Sequence, residues 1–190
     1  MLVSVSEPDQ FQVLGISGSL RRDSFNTELI RVAAEEAPPG MTIALADISD
    51  LPIYNADLER ESGFPEPVER LRDEMARADG LLFATPEYNY SVPGALKNAI
   101  DWASRRPSPL DLKPAAILGA GGRSGTARAQ RHLRDILEHN QLQVVTEPEV
   151  LLARPRSLFA DGTLQDTVAR EEIRRLLESL SETIQQARVT

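Results

Sequence analysis

Apolar residues return along this chain in two rhythms. Phe11, Val13, Leu14 and Ile16 form a first short run, and Gly80 to Thr85, Lys113 to Ala120 and Val144 to Leu152 form others. Met41, Ile43 and Leu45 alternate instead. These lengths predict five strands. Between the runs, apolar residues recur every three or four positions: Leu29, Ile30, Ala33, Ala34 and Ala37; Val68, Leu71, Met75 and Ala78; Leu96, Ile100 and Ala103. The same spacing predicts a helix from about Thr126 to His139 and a last one carrying Val168, Ile173, Leu176, Leu177, Leu180 and Ile184. Strands alternating with helices predict a parallel sheet covered on both faces, with right-handed crossovers.

The connections carry the candidate chemistry. After the first strand, Gly15, Ser17, Gly18 and Ser19 suit a tight turn, and Arg21 to Thr27 lead into a helix. A helix start offers unsatisfied N–H groups and the positive end of the dipole, and Ser19, Ser24, Asn26 and Thr27 can donate to phosphate oxygens beside Arg21 or Arg22. A helix cap needs one such residue, not four beside two arginines. The spacing G-x-x-x-x-G-K-S/T is absent, and Arg21 stands where a dinucleotide fingerprint needs its third glycine. A single phosphate monoester fits this loop better than a pyrophosphate.

After the third strand the chain reads PEYNYSVPGALKNAIDW, Pro86 to Trp102. Pro86 and Pro93 fix φ at both ends of a loop holding Tyr88, Asn89 and Tyr90. Alone, the loop suits either a planar heterocycle or a braced turn whose tyrosines pack under a neighbour. The anion loop favours the first, since both lie past the carboxyl ends of strands, where α/β sheets bind ligands. Gly119, Gly121, Gly122 and Gly125 end the fourth strand, so backbone there can approach a ligand closely or serve as an ordinary flexible turn. The stretch Ser49 to Pro67 is long for an idle loop and is expected to be a lid or an interface segment.

Composition narrows the function. A net charge of −8 argues against a nucleic-acid partner, and the absence of cysteine excludes disulfides, thiolate metal sites and a cysteine nucleophile. No apolar stretch is long enough to span a membrane, and residues 1–10, which hold Pro8 and no periodicity, are expected to be a loose extension rather than a signal peptide. A cytoplasmic protein with one domain over residues 11–190 is therefore expected. His132 and His139 lie two helical turns apart, about 10 Å, too far to share a metal. Arg131 and Arg134 are expected to pair with Asp135 and Glu138 on a solvated helix face.

GSLRRDSFN at Gly18 to Asn26, LPIYNADLE at Leu51 to Glu59 and TPEYNYSVPGALKNAIDW at Thr85 to Trp102 together resemble the NADPH-dependent FMN reductase family, on its quinone and chromate reductase branch. The resemblance runs from about Phe11 to Val150. It implies a flavodoxin-like three-layer α/β sandwich with a five-stranded parallel sheet of order 2-1-3-4-5 and helices on both faces. It implies bound FMN, NADPH or NADH as reductant, and a small acceptor such as a quinone, chromate, an azo compound or free flavin. Residues Ser19, Arg21, Ser24 and Asn26 would hold the phosphate; Pro86, Glu87, Tyr88 and Asn89 would edge the flavin ring; Gly119 and Gly121 would reach its far side. No catalytic acid or base is implied, and a homodimer or homotetramer is. The chain departs from the pattern twice, with no hydroxyl at Gly119 and with Thr126 where relatives often repeat glycine. An electron carrier without NAD(P)H activity, or a flavin-free regulatory protein, could share the fold.

Overall fold

A computed structural model describes residues 10–189. Its elements run β1 (Phe11–Ser17), α1 (Phe25–Glu35), β2 (Met41–Leu45), α2 (Ala56–Ser62), α3 (Glu66–Arg77), β3 (Gly80–Ala84), α4 (Gly94–Ala103), β4 (Pro114–Ala120), α5 (Ala127–His139), β5 (Gln143–Val144), β6 (Val150–Leu152), β7 (Phe159–Ala160), β8 (Thr163–Leu164) and α6 (Thr167–Val189). The expected loose extension falls, except for Gln10, outside the described residues.

Strands order as β2-β1-β3-β4-β5, all neighbours parallel. Every residue of β3 and β4 is buried, which is why both read as unbroken apolar runs: a parallel strand inside a sheet is covered on both faces. At the edge, β2 buries only Met41 fully, and its sequence alternates accordingly. Successive side chains point to opposite faces, so each strand feeds two cores. Val13, Leu82 and Leu118 join Leu29, Ile30, Ile173 and Leu177 under α1 and α6. Leu14, Ile16, Leu81 and Phe83 join Leu71, Met75, Ile100 and Leu133 under α3, α4 and α5. Two helical layers thus enclose the sheet, as expected of a flavodoxin-like sandwich.

The structure differs from the sequence reading in three places. The fifth strand is not continuous from Val144 to Leu152: β5 and β6 each pair with β4, and the ladder breaks around Pro148, which has no N–H to give it. Arg134 does not pair with Asp135 or Glu138 but donates to the Val145 carbonyl at 2.9 Å. Inside the long connection, α2 forms, its start capped by Asn55 accepting from the Asp57 N–H at 2.9 Å. Among the described residues, no helix is long and apolar enough to cross a membrane.

Candidate active site

Three loops meet at the carboxyl edge of the sheet, after β1, β3 and β4. Backbone and side-chain bonds lock them together. The Gly18 N–H donates to the Ala84 carbonyl at 2.8 Å, joining the first loop to the end of β3. Asn26, 3% exposed, reaches from α1 to the end of β4: its amide nitrogen donates to the Ala120 carbonyl at 3.0 Å and its oxygen accepts the Ala120 N–H at 2.9 Å. Glu87 of the second loop accepts from the Arg128 and Ala129 N–H groups at 3.0 and 3.3 Å, filling the start of α5. Between the loops lies a cleft of 220 Å³.

The first loop forms one wall. Ser24 caps α1, its hydroxyl accepting from the Thr27 N–H at 3.2 Å, while Thr27 bonds the buried Ser17 hydroxyl at 2.8 Å. Of the four side chains expected on the phosphate, Ser24 therefore serves as the cap, Thr27 braces β1 and Asn26 is taken up by Ala120, which leaves Ser19. The Ser19 hydroxyl has no protein partner among the described residues, although Ser19 is 7% exposed and lines the cleft. Arg21 stands at the rim, donating to the Asp23 carbonyl at 2.8 Å. An unpartnered hydroxyl, a helix start and an exposed guanidinium form an anion-receptive wall.

The second loop folds as a two-residue hairpin turn. Tyr88 and Ser91 exchange backbone bonds of 3.1 Å, and the residues between them, Asn89 (φ 49°) and Tyr90 (φ 68°), are both left-handed. Asparagine tolerates that backbone; tyrosine adopts it at a cost. Contacts to α5 hold the turn: the Arg128 guanidinium lies 4.1 Å from the centre of the Tyr90 ring and 2.9 Å from Glu87, and the Ser91 hydroxyl is 3.0 Å from His132 Nδ1. Burial alone would raise the Glu87 pKa, but the Arg128 guanidinium and the two N–H groups outweigh it and hold the carboxylate below its ordinary range. Glu87 is thus held ionised as a clamp between the second loop and α5.

Of the residues expected at a site, Ser19, Arg21, Ser24, Asn26, Pro86, Glu87, Tyr88 and Gly121 line the cleft. Asn89 is in the turn beyond it, exposed. Gly119 lies behind the wall, where an added Cβ would collide with the Thr126 hydroxyl and the Thr85 carbonyl. At Gly121 a Cβ would come within 3.1 Å of Thr126 Cγ2 and 3.8 Å of the Glu87 nitrogen, so the missing side chain keeps open the gap between second and third loops. Phe25, Ala120, Gly122 and Pro155 also line the cleft. Phe25 lay inside the GSLRRDSFN stretch and could have been read there; Pro155 follows the sheet and carried no signal.

The stretch Leu51 to Glu59 supports this edge from outside. Asn98 accepts from the Tyr54 N–H at 2.8 Å and donates to the Pro52 carbonyl at 2.9 Å, which also accepts from the Trp102 indole N–H at 2.8 Å. Tyr54 meets Trp102 edge-on at 4.9 Å. The second and third sequence stretches are therefore one packed unit.

A family model described as NADPH-dependent FMN reductase matches residues 11–155. An NAD(P)H-dependent FMN reductase of Pseudomonas aeruginosa is 54% identical over 175 residues, spanning 90% of this chain and 94% of its own. The quinone reductase of Escherichia coli strain K12 is 47% identical over 163 residues, 84% of this chain and 82% of its own. Among solved structures, FerB of Paracoccus denitrificans, a flavoenzyme NAD(P)H:(acceptor) oxidoreductase, has a TM-score of 0.84 at 35% identity, covering 93% of this chain and 98% of that one.

Proposed function

The chain belongs to the NADPH-dependent FMN reductase family, and from that premise we propose that it binds FMN in the cleft and oxidises NAD(P)H, reducing a small acceptor such as a quinone. The observation that carries this is the convergence of three strand-end loops on one cleft whose wall holds an unpartnered Ser19 hydroxyl beside the start of α1. When bound, the flavin supplies the redox chemistry, accepting hydride from the nicotinamide and passing electrons to the acceptor.

The protein's share is binding, orientation and electrostatics. Ser19, Arg21 and the N-terminus of α1 hold the phosphate, with Ser24 fixing the helix start and Asn26 fixing the third loop against it. Pro86, Glu87, Tyr88 and Asn89 edge the ring, Glu87 acting as the clamp that aims the loop. Gly121 and the backbone around it face the same gap. Chromate, azo compounds and free flavin belong to the same acceptor class. Residues 11–190 act as one FMN-binding domain, and exposed Ile53 and Tyr90 support assembly as a homodimer or homotetramer.

The test is the visible spectrum of the protein loaded with FMN, passed through gel filtration and then treated anaerobically with NADPH. Retained flavin that bleaches, and recolours on adding a quinone, is the expected outcome. Retained flavin inert to both NADPH and NADH would make the protein an electron carrier, and no retained flavin would overturn the cofactor assignment.

A further inference from the structure

Across the wall made by Arg21, Ser24 and Phe25 lies a second cavity, of 490 Å³, that the reading above leaves unused. The start of α1 forms one side and the β7–β8 hairpin the other, and the lining adds Arg22, Arg31 and Arg156. Arg31 is held by Glu28 at 3.2 Å. Arg22 and Arg156 have no hydrogen bond or ion pair among the described residues. The lining sets four arginines against three carboxylates, Asp23, Glu28 and Asp161, so in a chain of net charge −8 this concavity is slightly positive, with Arg22 and Arg156 free to take an anion. The groove between α4 and α5 is also rich in cations, but there Lys97 and Arg106 are paired with Asp101 and Asp111, and Arg105 donates to the Tyr54 hydroxyl at 3.1 Å.

The two cavities share more than a boundary. Phe25 lines both, half-buried, with its ring packed on Phe159 at 4.8 Å. An aromatic wall and planar guanidinium groups are surfaces on which a purine stacks, and a guanidinium fork matches a phosphate. The volume lies within the range of about 300–1,000 Å³ usual for small-molecule sites. A molecule with one end in the cleft can therefore rest its other end here.

Resting on the proposed reading of the cleft, we propose that this cavity takes the adenosine end of the nicotinamide dinucleotide, and that Arg22 and Arg156 receive the ribose phosphate that distinguishes NADPH from NADH. Calorimetric titration of the flavin-loaded full chain with adenosine 2′,5′-bisphosphate and with adenosine 5′-monophosphate tests it without turnover. The bisphosphate is expected to bind about ten-fold more tightly, a preference worth one charge-assisted contact. Arg22→Ala/Arg156→Ala should abolish the preference while leaving the visible spectrum and flavin retention unchanged, and should raise KM for NADPH but not for NADH, at unchanged kcat. Equal binding of the two nucleotides, or a preference that survives both substitutions, overturns the proposal. A chain that retains no flavin overturns the reading of the cleft instead; the bisphosphate titration of the chain and its variant still decides the second cavity.

Discussion

Gly119 and Thr126 are a single packing decision. The end of β4 offers no hydroxyl at position 119, yet the Thr126 hydroxyl fills the space that a side chain there would need. Thr126 is fully buried, and its oxygen accepts from Gln130 Nε2 at 3.0 Å, which in turn donates to the Val150 carbonyl at 2.9 Å. The residue thus ties the third loop to β6. Gly119→Ser should cost about 1–3 kcal/mol, because the new side chain overpacks a closed site. Adding Thr126→Gly should relieve part of it, with a coupling of about 0.5 kcal/mol or more in a double-mutant cycle of urea denaturation. Strict additivity would mean that the Thr85 carbonyl alone closes the position. Both departures from the family pattern were visible in the sequence, but their compensation was not, since the two residues meet only once the loop turns back on the strand.

At the scale of elements, the sequence revealed what periodicity governs and hid what single side chains decide. A parallel sheet with two helical layers followed from run lengths and crossover rules, and the order of its strands from the resemblance that the three stretches carry. The break between β5 and β6 was written in Pro148, and the β7–β8 hairpin in Asp161 and Gly162, which carry φ of 50° and 81° between Phe159 and Leu164. A reading for five long strands passes over both signals. Glu87 was hidden for another reason: its partners at the start of α5 are 41 and 42 residues away. The long connection was expected as a lid or interface segment, and the structure docks its first half on α4 through Asn98 and Trp102. Asn98→Ala leaves the Tyr54 N–H without its acceptor and should cost about 1–3 kcal/mol. Hydrogen exchange at Tyr54 and proteolysis between Ile53 and Gly63 should both quicken, while Trp102 still holds Pro52. Unchanged exchange would mean that ring packing alone seats the segment.

For the whole molecule, the question is where the functional unit ends. The family model stops at residue 155, before α6. Yet α6 buries Ile173, Leu176, Leu177, Leu180 and Ile184 against the face that also holds Leu29, Leu82 and Leu118. Its first turns are anchored to the end of α1: Glu36 accepts from Arg170 at 2.8 Å and from Arg174 at 2.5 Å, and these two bonds lower the Glu36 pKa against the opposing effect of burial. In these largely shielded ion pairs the attraction is offset by the cost of taking the charges out of water, and apolar burial decides. Five large apolar side chains withdrawn from water contribute roughly 7–15 kcal/mol. That is as much as the entire stability of an ordinary domain, about 5–15 kcal/mol. The α1 wall of the cleft rests on this core, so the phosphate loop depends on α6 through α1. A chain ending at Leu164 should therefore show no cooperative urea transition, bind a hydrophobic dye and retain no FMN after gel filtration. A sharp transition with flavin retained would move the boundary of the FMN-binding domain to Leu164 and make α6 a cover added to a unit already complete.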